Sequence, residues 1–198
     1  MLDVDVALPS SSPGWIRRPH LLDALRFGAN HTLTLVCAPP GYGKTTLLNQ
    51  FRHAVPFPVC WLSLRQEDET LFLFVSRLLE ALRQQSHPVG QLTSQYLLER
   101  SFDSVCPQVL GTTLKRDIST NSPERFMLIL DDYHWVDAAL SVNELLETLL
   151  LRGPQCFHII VASEIVPSGL PLIQLVAQKE VVFLGPDHLA FTREELQE

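Results

Sequence analysis

Cationic residues are scarce in this 198-residue sequence: 15 Lys and Arg stand against 22 Asp and Glu, a net charge of −7, and nowhere do five basic residues cluster. A stand-alone binder held on nucleic acid by phosphate contacts is therefore not expected. There is no run of roughly 18 uncharged apolar residues, which excludes a transmembrane helix. The N-terminus, Met1-Leu-Asp-Val-Asp-Val-Ala-Leu-Pro9, carries two acids and no basic segment, which is wrong for a secretory signal, so cytoplasm is the expected compartment. Cysteines are few as well: Cys37, Cys60, Cys106 and Cys156 are far apart and form no CxxC pair. They are expected as reduced core residues rather than disulfides or zinc ligands. Disorder is excluded by a composition 46% hydrophobic and only 19% charged, and the length suits one packed domain.

What is present alternates short β-branched runs with longer stretches of helical period, the pattern of a βαβ series around a mostly parallel sheet. Strands are expected at 32–37, 59–64, 126–130, 157–162 and 181–184. Helices are expected at 18–27, 45–54, 69–85, 103–118, 137–151 and 171–178, and the pattern between His87 and Ser101 is ambiguous. In the first helix Leu21, Leu22 and Leu25 share a face. In the third, Phe72, Val75, Leu78, Leu79 and Leu82 recur close to every 3.6 residues. Residues 1–14, rich in Pro and Ser, are expected to be a flexible segment ahead of one α/β domain at 15–188. Thr192 and Glu195 have the spacing of a capping box. Because the chain stops one turn later, 189–198 is expected to be the start of a helical arm leading into a longer protein.

Ala38-Pro39-Pro40-Gly41-Tyr42-Gly43-Lys44-Thr45 directly follows an apolar strand and opens a helix, the context a phosphate-binding loop requires. Gly41 and Gly43 let the backbone curl so that successive N–H groups converge on phosphates at the positive end of the helix. Tyr42, between them, belongs to the same nucleotide-binding set. Lys44 supplies a charge to the β- and γ-phosphates, the Thr45 hydroxyl is placed for Mg²⁺, and Thr46 adds an α-phosphate contact. Ala38 stands where this pattern begins with glycine, and alanine suffices there if its φ stays negative.

A second strand, Phe126-Met127-Leu128-Ile129-Leu130, ends in Asp131-Asp132 and delivers both acids to the sheet edge where ligands bind in open α/β folds. Asp131 is the expected Mg²⁺ ligand, and Asp132 the group that orients or deprotonates an attacking water. His134 has two readings, a γ-phosphate contact or packing beneath the following loop, with packing favoured.

Taken together, residues 38–46, Trp61-Leu62-Ser63-Leu64, Asp68 before an apolar helix, Leu130-Asp131-Asp132-Tyr133-His134 and Leu189-Ala190-Phe191-Thr192 resemble one family. It is the nucleotide-binding module of the MalT-like, LuxR-type transcriptional regulators, within the STAND class of P-loop NTPases. The resemblance covers about residues 15–198. It implies a three-layer P-loop NTPase fold with about five strands and helices on both faces. It also implies an ATP/ADP-dependent regulatory switch with weak Mg²⁺-dependent hydrolysis, self-association of the full-length protein, and DNA contact through a separate C-terminal part. Neither membrane nor direct nucleic-acid binding is expected of this segment. Arg18 occupies about the place of a nucleotide-contacting arginine in related proteins, and a solvated surface arginine is the competing reading. Two departures stand out. Ser163-Glu164 replaces the family's Ser-Arg, so a carboxylate sits where an arginine would reach the γ-phosphate, which implies slow hydrolysis or poor ATP/ADP discrimination. Arg65 stands where an acid is common. A nucleotide-binding scaffold with degenerate chemistry and a P-loop small-molecule kinase are the alternatives; for the kinase, no second substrate site is visible.

Overall fold

Each apolar run becomes a strand, and the strands assemble into one parallel sheet. The structure is a computed structural model that describes residues 16–84, 89–100, 104–121, 125–152, 157–193 and 195. In chain order the elements are α1 (Pro19–Gly28), β1 (Leu33–Cys37), α2 (Lys44–Ala54), β2 (Val59–Ser63), α3 (Leu71–Gln84), α4 (Gln91–Leu98) and α5 (Pro107–Asn121). Then come β3 (Phe126–Asp131), α6 (Leu140–Arg152), β4 (Phe157–Ser163), α7 (Leu172–Ala177), β5 (Val181–Leu184) and α8 (Pro186–Leu189). The strand order is β2-β3-β4-β1-β5, every pair parallel. The expected α/β fold, a parallel sheet of about five strands with helices on both faces, is what forms.

Strand alternation splits the core into two layers. Leu33, Leu35, Phe126, Leu128, Leu130, Ile159 and Val161 face the side covered by α3, α5 and α6. Val36, Met127, Ile129, Ile160 and Ala162 face α1 and α2. Strands β1, β3 and β4 are buried along their whole length because both faces are covered, which is why they read as unbroken apolar runs rather than alternating ones. The amphipathic face expected of α1 is buried through Leu21, Leu22 and Leu25.

Several boundaries differ from expectation for identifiable reasons. α3 begins at Leu71 because residues 66–69 form a separate 3₁₀ turn closed by Asp68. α6 begins at Leu140 because Tyr133–Trp135 form another such turn and the Asp137 carboxylate is used elsewhere, accepting from the Ser168 and Gly169 amides. The ambiguous stretch contains α4, whose start is held by the buried Asp117 of α5. That carboxylate accepts from Leu92 N (3.2 Å), Thr93 N (2.8 Å) and Thr93 Oγ1 (2.6 Å). The helix expected at 103–118 begins at Pro107; residues 101–103 lie outside the described residues. The Thr192–Glu195 capping box forms, with Thr192 N donating to Glu195 Oε2 (2.8 Å) and Glu195 N to Thr192 Oγ1 (3.3 Å). The flexible segment expected at 1–14 lies outside the described residues.

Cys37 and Cys60 are buried free thiols as expected, and burial pushes Cys60 up to about 12. Cys106 departs from the expected core position: it is exposed just ahead of α5, its Sγ 3.0 Å from Gln108 Oε1. Cys156 lies outside the described residues. Among the described residues no helix is long and apolar enough to cross a membrane.

At the N-terminal edge of the sheet a polar cavity of about 480 Å³ is lined by His31, Arg125, His158 and Glu180 among others. His158 is buried, donates from Nδ1 to the His31 carbonyl (2.7 Å), and is pulled down to about 4 by burial, with the charges of Arg125 and His31 acting in the same direction. Its folded-state pKa lies below the unfolded value of about 6.5, so the unfolded chain binds the extra proton first. Stability is thus expected to fall as pH drops from about 6.5 toward 4, by at most about 3 kcal/mol at about 1.4 kcal/mol per unit. Urea unfolding across that range checks this, and His158→Asn should flatten the dependence.

Candidate functional site

The C-terminal edge of the sheet gathers the residues singled out from sequence. Gly41 and Gly43 adopt left-handed φ values of 85° and 76°, and a Cβ on either would meet nothing within 4 Å. Their requirement is therefore conformational rather than steric. Ala38, buried between β1 and the loop, has no positive φ, so alanine serves where the pattern has glycine. Gly43, which has no side chain to cap with, ends the curl as the N-cap of α2. The first N–H groups of an 11-residue helix therefore point out of its positive end.

Lys44 is buried, with its ammonium folded over the loop. It donates to the carbonyls of Ala38 (2.6 Å) and Pro39 (3.2 Å), leaving one of its three N–H donors for a phosphate oxygen. The next residue, Thr45, donates from Oγ1 to Asp131 Oδ2 at 3.0 Å. These residues come from different strand–helix units, and β4 lies between their strands. The contact thus spans the sheet edge past the end of β4. Burial, then the neighbouring charge of Asp132, push the Asp131 carboxyl up to about 6. Asp132 follows at φ 58°, a left-handed conformation that aspartate tolerates, and its amide donates to Asp131 Oδ1 (3.1 Å). Oxygen donors from a hydroxyl and a carboxylate fit a small hard cation such as Mg²⁺.

Thr46 faces a cavity beside the loop. Glu164, directly after β4, makes no hydrogen bond or ion pair among the described residues. His134 lies with its ring centroid 5.1 Å from that of Trp135, and its Nδ1 is buried without a hydrogen-bond partner among the described residues. The Arg65 side chain is exposed while its amide donates to Asp68, so that position contributes backbone rather than charge.

Arg18 has a different set of neighbours from those expected of a solvated residue. It is 6% exposed and ties Leu189, Ala190 and Glu195 to the domain. Nε donates to Glu195 Oε1 (2.9 Å), Nη1 to the Leu189 carbonyl (2.7 Å), and Nη2 to Ala190 O (2.8 Å) and Glu195 Oε2 (3.2 Å). Hydrogen bonds from Arg18 draw Glu195 down to about 2. Its guanidinium also lies 4.8 Å from the centre of the Phe191 ring. Together with Tyr42, Gly43, Thr46, Leu47 and Gln50, this pair lines a cavity of about 280 Å³ adjoining the phosphate loop. Sequence reasoning missed Gln50 and Phe191 as site residues. The available signal for Gln50 was its spacing of one helical turn from Thr46, on the same face of α2.

No family model matches the chain. It is 28% identical over 181 residues to the HTH-type transcriptional regulator MalT of Cronobacter sakazakii, covering 91% of this chain and 19% of that protein. It is 30% identical over 184 residues to the serine/threonine-protein kinase PknK of Mycobacterium tuberculosis, covering 91% of this chain and 16% of that one. The chain thus spans less than a fifth of these curated relatives. Among solved structures, a Walker-type ATPase of Pyrococcus abyssi superposes with a TM-score of 0.52 at 13% identity, over 97% of this chain and 59% of that one. A STAND protein with a tetratricopeptide-repeat sensor from Pyrococcus horikoshii gives 0.50 at 15% identity, over 95% and 25%. These likenesses show the fold.

Proposed function

We propose that this chain, a P-loop NTPase fold similar to the MalT-like regulators over nearly its whole length, is an ATP/ADP-binding regulatory switch with slow Mg²⁺-dependent hydrolysis. The observation that carries the reading is the 3.0 Å hydrogen bond from Thr45 to Asp131, residues 86 apart in sequence, at the start of the helix that Gly43 and Lys44 open. Gly41, Tyr42, Gly43 and Thr46 would bind phosphates beside Lys44 through loop amides and the Thr46 hydroxyl. Thr45 and Asp131 would hold Mg²⁺, which when bound neutralises developing phosphate charge. Asp132 would orient or take the proton of the attacking water.

The regulatory part of the reading is supported by the relatives. One is named a transcriptional regulator and the other a protein kinase, yet each matches 91% of this chain. A segment common to a regulator and a kinase suits an input module rather than an output. We therefore place this segment in a LuxR-type regulator of the cytoplasm, where other parts contact DNA and self-association follows nucleotide exchange.

Glu164 favours one second reading, a nucleotide-binding scaffold without turnover. The isolated chain is expected to bind ATP and ADP with Mg²⁺ and to release phosphate far more slowly than the roughly 1–10³ s⁻¹ common among enzymes. Glu164→Arg should raise that rate at least about tenfold, since an arginine at the γ-phosphate can be worth about 10³-fold or more. Phosphate release measured for both proteins checks this. An unchanged rate removes Glu164 from the account, and no hydrolysis by either protein decides for the scaffold.

A further inference from the structure

Two loops leave the sheet at the edge where the phosphate loop and the acidic pair meet, and they are fastened to one another. The first follows β3. There Tyr133, fully buried directly after Asp132, donates from its hydroxyl to Asn143 Oδ1, and Asn143 Nδ2 donates to the Asp137 carbonyl (2.7 Å). The second loop follows β4, and the Asp137 carboxylate grips it at Ser168 and Gly169. Oδ1 accepts from Ser168 N (2.9 Å) and Gly169 N (3.0 Å), and Oδ2 accepts from Ser168 Oγ (2.9 Å). Gly169 is required by the closeness of this approach, since a Cβ there would lie 1.9 Å from Asn143 Nδ2 and 2.7 Å from the Asp137 carbonyl oxygen. Hydrogen bonds to an ionised carboxylate are stronger than those between neutral groups, so the clamp is a firm one.

The other end of the second loop is held by the phosphate loop. Ser163, the last residue of β4, pairs in register with Cys37, and its carbonyl accepts from Ala38 N (3.2 Å). Only residues 164–167 separate the two anchors, and within them Pro167 is buried with its φ fixed by its ring. Glu164 opens that span. It therefore borders the gap between the phosphate loop and the acidic turn, half-buried and without a hydrogen bond or ion pair among the described residues. An anion kept there meets like charge whenever a terminal phosphate occupies the gap, and fixed repulsion is one means of choosing between ligands.

Building on the nucleotide-binding reading above, we propose that Asp137 is a positioning residue: by locking the Ser168–Gly169 turn to the acidic turn it holds Glu164 at the terminal-phosphate end of the site, and the chain favours ADP over ATP. Glu164 supplies the repulsion, and Asp137 keeps it from swinging away.

Calorimetric affinities with Mg²⁺ for ADP and for the β,γ-methylene analogue of ATP, which carries the terminal phosphate and resists hydrolysis, isolate this effect. The wild-type chain is expected to bind ADP about tenfold more tightly than the analogue, the order of one like-charge contact partly screened near a protein surface. Glu164→Gln should bring the ratio close to one. Asp137→Ala should do the same with Glu164 still present, and the double variant should go no further than either alone, because both act on one contact. Asp137→Asn should keep the wild-type ratio, since its Oδ1 accepts from both amides and its Nδ2 donates to the Ser168 hydroxyl. Gly169→Ala, whose Cβ wedges the turn off Asn143 and Asp137, opens the clamp from the other side and carries the test if Asp137→Ala does not fold. If the variants that open the clamp keep the wild-type ratio or weaken ADP and the analogue equally, or if Glu164→Gln leaves the ratio unchanged, the positioning role is wrong; ADP binding that Lys44→Ala weakens then leaves the phosphate site standing. If Lys44→Ala leaves ADP affinity untouched, the nucleotide reading itself fails.

Discussion

Replacing Lys44 with alanine is expected to weaken Mg²⁺-nucleotide binding about 100-fold, close to 3 kcal/mol. The size follows from what the ammonium does. A hydrogen bond involving a charged group contributes about 1.5–3 kcal/mol, and Lys44 is buried, where charge is less screened than at the surface. Alanine also leaves the carbonyls of Ala38 and Pro39 without the donor that now bridges them, so the loop loses preorganisation along with charge. The helix itself should persist, because Leu47 and Leu48 of α2 are buried in the layer that also holds Val36 of β1. Calorimetric titration with ADP and ATP, beside a far-ultraviolet dichroism spectrum, separates lost binding from lost folding. Equal affinity in the folded variant would mean that the loop does not take phosphates.

A second large effect is expected away from the nucleotide. Asp68 is completely buried and accepts from the Arg65 amide and from Arg77 Nη1, while Arg77 Nη2 donates to the Ser63 carbonyl at 2.8 Å. Ser63 pairs in register with Asp131, and Leu64 N donates to the Asp131 carbonyl (2.9 Å). The Asp68–Arg77 pair therefore braces the end of β2, and through it the strand end that carries the acidic pair. Removing one partner of a buried ion pair costs about 3–5 kcal/mol because the other is left uncompensated. Asp68→Ala should lose about that much stability in urea unfolding. Asp68→Ala combined with Arg77→Leu should recover part of it, since no stranded charge remains. A loss below about 1 kcal/mol for the single variant would show that the brace is unimportant.

The two effects differ in how far sequence could foresee them. Lys44 announces itself because the loop's function is local: two glycines, a lysine and a threonine within a few residues set the curl, the charge and the hydroxyl. Asp68 was noticed as part of a resemblance, but its partner lies on a helix further along, and nothing about Arg77 in isolation marks it. α4 shows the same limit. Its only fully buried side chain is Thr93, so it carries little hydrophobic period, and its first turn is satisfied by Asp117 of α5. Arg18 looked like a surface or nucleotide-contacting residue. Its partners are more than 170 positions away, and only the folded chain brings Glu195 to it.

Local chemistry thus settled much in advance. Unbroken apolar runs required strands covered on both faces, the period of α1 and α3 required helices packed by one side, and the loop's glycines required left-handed backbone. Those constraints act within a few residues, so the chain carries them wherever it folds. Packing at long range decided the rest: β4 came to lie between the strands of the phosphate loop and of the acidic pair, and Thr45 met Asp131 across its end. It also decided that Arg18 would be buried against Leu189, Ala190 and Glu195. Such placements are properties of surfaces that meet only after the sheet has formed, which is why no spacing in the sequence contains them.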